Sequence, residues 1–200
     1  MARYTIHAGH AKQGNRFSGA VGYVKESNVA RFVKGATMRA LSAQKDTVYD
    51  ITVEKGESQS AIVKEQYRRA NSYSNIKANI SIHLNALDGK EESNGKQKGT
   101  EIWLYSPNSE LIKEANKILE NMEALGFRNR GIKYCKKLVD GKWKILRSIG
   151  FLRNTKAPSL LVECFFCDDE DDYIQYKAVG YEKIGKAIGY GINLKSIPTK

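Results

Sequence analysis

The chain has 200 residues, 41% of them hydrophobic, and its 33 Lys and Arg against 22 Asp and Glu give a formal net charge of +11. That content builds a buried core, while three cysteines are too few for a disulfide framework and no run approaches the roughly 18 apolar residues of a membrane-spanning helix. The basic balance attracts polyanions, whether nucleic acid, a phosphate-rich cell wall or an anionic membrane, and does not choose among them.

The opening "MARYTIHAG" lacks an apolar core of signal-peptide length and reads as a strand over residues 3–8. The expectation is a protein made in the cytoplasm without a signal peptide. Residues 26–44 place Val29, Phe32, Val33, Met38 and Leu41 at helical spacing. "TVYDITV" has the β-branched and aromatic content of a short strand, and residues 58–73 form a second helix with Ala61, Ile62 and Tyr67 inward. "ANISIHL" and "TEIWLYS" read as strands. Pro107 opens a helix over residues 108–125, which Gly126 stops. "SLLVECFF" is a continuously apolar strand, and helices are expected over most of the remainder. Strands alternating with helices give an α/β domain with a mostly parallel or mixed sheet covered on both faces. No Ser/Pro/Gly-rich linker interrupts it, so one domain spans residues 1–195 and residues 196–200 form a tail or the start of a linker.

In such sheets ligands gather beyond the carboxyl ends of the strands. The first strand ends in "HAGH", with His10 in a glycine loop and His7 inside the strand, where it packs or positions a neighbour. "ANISIHL" ends at His83, followed by Asn85. The chain holds three histidines, and imidazole is the commonest metal ligand. Glu26 opens the first helix, where a carboxylate is either a third ligand or a first-turn residue favoured by the helix dipole. Glu163 lies inside "PSLLVECFFC". A buried carboxylate needs a partner, so it points out of an edge strand, forms a salt bridge or faces a group that uses it as a base. Cys164 and Cys167 have the spacing of a redox or zinc pair, but their apolar setting and the lack of a second pair read as ordinary buried thiols, as does Cys135.

"IHAGHAKQGNRFSGAVGYVKE", "SIHLNA", "GTEIWLY", "NRGIK" and "LLVECFF" occur in this order along nearly the whole chain. Together they resemble the zinc-dependent N-acetylmuramoyl-L-alanine amidases of the type 3 amidase family. The resemblance implies about six strands and hydrolysis of the amide between the muramic acid lactyl group and L-alanine of bacterial peptidoglycan. It implies one Zn2+ per chain held by His10, Glu26 and His83, with Glu163 as the catalytic base. Arg130 and Asn85 are the substrate-binding candidates. The chain departs from the family with Ala8 where proline is common, and with an irregular segment over residues 131–158 that suits a substrate-facing hairpin or loop. Joined to the missing signal peptide, the resemblance points to a phage or prophage endolysin that reaches the wall after release. Its rivals are a basic nucleic-acid-binding module, which leaves Glu163 and the ordered histidine motifs unexplained, and a zinc peptidase or amidase acting on another substrate.

Overall fold

The computed structural model describes residues 1–87 and 98–198. Eight strands appear in chain order: β1 (Arg3–Ala8), β2 (Thr47–Asp50), β3 (Ala78–Asn85), β4 (Thr100–Leu104), β5 (Asn129–Tyr134), β6 (Lys136–Val139), β7 (Lys142–Ile145) and β8 (Ser159–Phe166). The helices are α1 (Glu26–Ala43), α2 (Gln59–Ala70), α3 (Ile112–Ala124), α4 (Gly150–Asn154) and α5 (Glu170–Gly191). Six strands form one sheet in the order β2-β1-β3-β8-β4-β5. Its neighbours run parallel except β4 and β8, which are antiparallel.

Local chemistry explains the boundaries. Ser58 caps α2, its hydroxyl accepting the Ala61 N–H at 3.1 Å. Gly126, at φ 90°, ends α3. Two expectations need correction. The third helix begins at Ile112, several residues after Pro107. Part of the remainder expected to be helical is instead β5, while the β6–β7 hairpin agrees with the hairpin or loop expected over residues 131–158. Asp140 and Gly141 both take positive φ, 51° and 70°, the two-residue turn that matches strand twist and joins β6 to β7.

Alternation along the strands divides the sheet into two unlike faces. Tyr4, Ile6, Ile80, Ile82, Ile102, Leu104, Leu160 and Val162 pack with α1, α3 and α5 into the main core. The opposite face carries Leu161 and Trp103 against a smaller cluster with Ala70 of α2 and Phe151 and Leu152 of α4. Thr5, His7, Ser81, His83, Glu101 and Glu163 alternate with the core residues and so belong to this second, thinly covered face. The three cysteines are buried and unpaired, and burial raises each thiol, which fits inert packing residues. Ile197, in the expected tail, packs against the main core, and its N–H donates to Asn121 Oδ1 at 3.3 Å. Residues 199–200 of that tail lie outside the described residues.

Candidate metal centre

After β1 the chain turns sharply. The Gly9 N–H donates to the Ile82 carbonyl at 2.8 Å, and His10 takes φ 61°. Arg31 of α1 fixes that turn: its guanidinium donates to the His10 carbonyl at 3.2 Å while pairing with Glu54. Glu26 is the first residue of α1 and is 3% exposed. Its Oε2 accepts the Ala20 N–H at 2.9 Å, and its own N–H donates to the Ala20 carbonyl at 3.0 Å. Oε1 accepts the Leu84 N–H at 3.2 Å and lies 3.2 Å from His10 Nε2 and 3.0 Å from His83 Nδ1. One ligand atom from each of His10, Glu26 and His83 lies within 4.8 Å of the others, the one such group among the described residues.

Two glycines make this approach possible. A Cβ on Gly9 would meet the His83 ring at 2.1 Å. One on Gly19, at φ 81°, would meet Glu26 Oε2 at 2.5 Å and His10 Cδ2 at 2.9 Å. The backbone passes where side chains of other residues would fill the cradle.

The charges are tightly coupled. Burial works to raise the Glu26 carboxyl, but hydrogen bonds from His10 and His83 hold it well below the carboxylate range. At His10 burial opposes the charge, yet the Glu26 partnership raises the imidazole above its ordinary value. At the more deeply buried His83 desolvation wins and lowers it. Two imidazole nitrogens and an ionised carboxylate around one point are a donor set suited to a divalent ion such as zinc. The triad can therefore hold a metal ion.

Glu163 lies beside it. β8 is an interior strand, which removes the edge-strand reading, and His83 and Glu163 are register partners on β3 and β8. Among the described residues Glu163 has no ion pair, and its Oε2 is buried without a hydrogen-bond partner, so the salt-bridge reading also fails. Burial first, then the charges of Glu26 and Glu101, push its carboxyl up to about 8. It lines a cavity of about 360 Å3 shared with His7, His10, Glu26 and His83. His7 is buried against Phe151, its ring centre 4.3 Å away. Its Nδ1 lies 3.2 Å from the Ala8 carbonyl, an acceptor, so Nδ1 carries the proton. Burial lowers the ring's pKa to about 3, so His7 is a neutral wall residue.

Asn85 and Arg130 come together away from the cavity lining, joined by Glu101. Asn85 Nδ2 donates to Glu101 Oε1 at 3.1 Å, and Arg130 Nε donates to Oε2 at 2.9 Å while its guanidinium lies over Phe166. Glu101 is the register partner of Glu163 on β4. Sequence reasoning missed it, although "TEIWL" places an acid at the phase that alternation sends to the same face. It also missed Arg31, Gly19 and Arg147, for which the sequence carries no local signal.

The model of the N-acetylmuramoyl-L-alanine amidase (amidase 3) family matches residues 5–194. The fold is similar to the catalytic domain of the CD27L endolysin targeting Clostridia Difficile, with TM-score 0.80 and 25% identity over 99% of this chain and 100% of that one. It is also similar to Cwp6 from Clostridium difficile, with TM-score 0.74 and 26% identity over 97% of this chain and 29% of that one. A curated, uncharacterized protein of Clostridium perfringens is 26% identical over 196 residues, which are 98% of this chain and 52% of that protein. The chain thus spans about half the length of the curated relative it matches.

Proposed function

The chain belongs to the N-acetylmuramoyl-L-alanine amidase family, and we propose that it hydrolyses the amide between the lactyl group of muramic acid and the L-alanine of peptidoglycan. The observation that carries this reading is the pairing of a donor set made of His10, His83 and the ionised Glu26 with Glu163, whose buried Oε2 has no partner, on the adjacent strand. We assign the metal as one Zn2+ per chain, because two imidazoles and one carboxylate leave the open position that hydrolytic zinc sites use. Zinc held there supplies Lewis acidity toward the scissile carbonyl and makes a water more acidic.

The chain's own residues carry the remaining work. Glu26 is fixed by the Ala20 and Leu84 amides, so it offers Oε1 to the centre without rearrangement. Glu163 accepts the proton of the attacking water on its carboxylate and returns it to the departing alanine nitrogen. Burial and the neighbouring carboxylates raise Glu163 in the metal-free protein, and a cation in the donor set would offset them and leave the carboxylate free to act as base. His7 and Phe151 close the wall behind this exchange and limit water around Glu163. Asn85 and Arg130, steadied by Glu101, are assigned as substrate contacts beyond the lining.

We read the biological setting as lysis by a phage or prophage endolysin that acts on the wall after release from the cell that makes it. Its likeness to an endolysin catalytic domain across that domain's full length supports this setting. The test is amine release from a soluble N-acetylmuramoyl-L-alanyl peptide by zinc-loaded protein. The expected product is free peptide with an L-alanine amino terminus. Intact substrate after incubation with folded, zinc-loaded protein would overturn the reading.

A further inference from the structure

The segment returning from the β6–β7 hairpin brings a guanidinium to the cavity. Arg147 lines it together with His83 and Glu163 and is the one permanently charged cation of that lining. Its backbone is pinned, because the N–H groups of Leu146 and Arg147 both donate to the Cys135 carbonyl, at 2.7 and 3.1 Å. Its guanidinium carbon lies 4.8 Å from the centre of the Trp103 ring. Trp103 is held in turn, its Nε1–H donating to Glu101 Oε1 at 3.0 Å.

Arg147 acts on Glu163 only from beyond ion-pair distance, its charge lowering that carboxyl's pKa against the effect of burial. Among the described residues no carboxylate lies within ion-pair distance of it, whereas Arg31, Arg39, Arg68, Arg69 and Arg130 each have one. Its side chain is exposed and so within reach of a ligand. A guanidinium stacked on an aromatic ring keeps its donor edge free, and that planar edge matches a carboxylate in a two-pronged hydrogen bond. A lysine in this place would offer a point charge and no such fork. On the amidase reading the peptide leaving with L-alanine carries carboxyl groups, and an unamidated α-carboxyl on its second residue would be the first anion beyond the scissile amide.

We propose that Arg147, held over Trp103 at the cavity beside Glu163, is a specificity residue that binds this carboxylate, so that the enzyme distinguishes the free acid from its amide. This rests on the amidase reading above. The test uses two soluble N-acetylmuramoyl-L-alanyl peptides that differ only at the second residue, D-glutamate in one and D-isoglutamine in the other. Zinc-loaded parent, Arg147→Gln and Arg147→Lys are compared by kcat/KM. In parallel, calorimetric titration measures binding of the two product dipeptides, each with its γ-carboxyl blocked as a methylamide so that only the α-group differs. The parent should favour the free acid by about tenfold in both measurements, as one charge-assisted hydrogen-bonded contact supplies. Arg147→Gln should bring both ratios close to one, and Arg147→Lys should fall between. A ratio near one in the parent, or an unchanged ratio in Arg147→Gln, overturns the proposal. If the parent cleaves neither peptide, the amidase reading fails, and the dipeptide titration alone still decides whether Arg147 selects the carboxylate.

Discussion

His83 and Glu163 stand side by side as register partners on the parallel strands β3 and β8, on the same sheet face. One is bonded to Glu26, and the other has a buried carboxylate oxygen with no partner. On the proposed reading that juxtaposition separates a residue that would hold a metal from one that would move a proton, and substitutions at the two positions should fail in different ways.

Glu163→Gln keeps the shape and removes the base. Amide hydrolysis should fall by roughly 100- to 10,000-fold, the usual contribution of a general acid–base group. Zinc content should stay at the parent value, because Glu163 is outside the donor set. Full activity per folded molecule would contradict the assignment.

His10→Ala and His83→Ala should each abolish tight zinc binding, and parent protein should carry one zinc by elemental analysis. Because Glu26 raises His10 above its ordinary pKa, a proton competes with the ion for that nitrogen. Zinc affinity should therefore weaken as pH falls through that raised value, with protons released on binding in a calorimeter. Active, folded protein without zinc would remove the metal from the account.

Gly9→Ala tests the cradle without touching a ligand. Its new Cβ would sit 2.1 Å from the His83 ring, so the ring must leave Glu26. A ligand that is misoriented but still present should bind about 10- to 100-fold more weakly, the usual cost of losing an orienting partner outside the donor set. Unchanged zinc affinity would mean that the loop yields elsewhere.

Metal-free protein should show a pH signature from Glu163. Its carboxyl is pushed up to about 8, against a usual value of 4.5, by burial and then by Glu26 and Glu101. With the folded value above the unfolded one, the stability tied to the protonated acid is complete below about 4.5 and is lost as pH rises through about 8. Glu163→Gln lacks this loss. Its melting temperature should gain on the parent's by several degrees between about pH 5 and pH 8.5, since ~1 kcal/mol moves a domain of this size by roughly 2–4 °C. A constant difference across that window would place the carboxyl's pKa elsewhere.

Much of the site was legible because ionisable residues stood out where apolar ones belong. Glu163 interrupts "LLVECFF"; the interior place of its strand removes the edge reading and its partnerless buried oxygen the salt bridge. His10 and His83 could be placed at strand ends. Glu26 could not be separated from a helix-end acid, because its role depends on histidines brought from residues 10 and 83 by tertiary packing. Gly19 and Gly9 show nothing in sequence of what a Cβ would meet. Glu101 and Arg147 take their meaning from neighbours on other strands. The β6–β7 hairpin lies where residues 131–158 suited a hairpin or loop, but its bounds were not legible, since the Asp140–Gly141 turn joins strands of only four residues.

The central claim is tested most directly by mass spectrometry of purified peptidoglycan digested with zinc-loaded protein. The account predicts free stem peptides beginning with L-alanine, together with glycan strands whose lactyl groups have lost them, and neither product with Glu163→Gln. Peptides cut within the stem, shortened glycans with their stems attached, or undigested wall would contradict it.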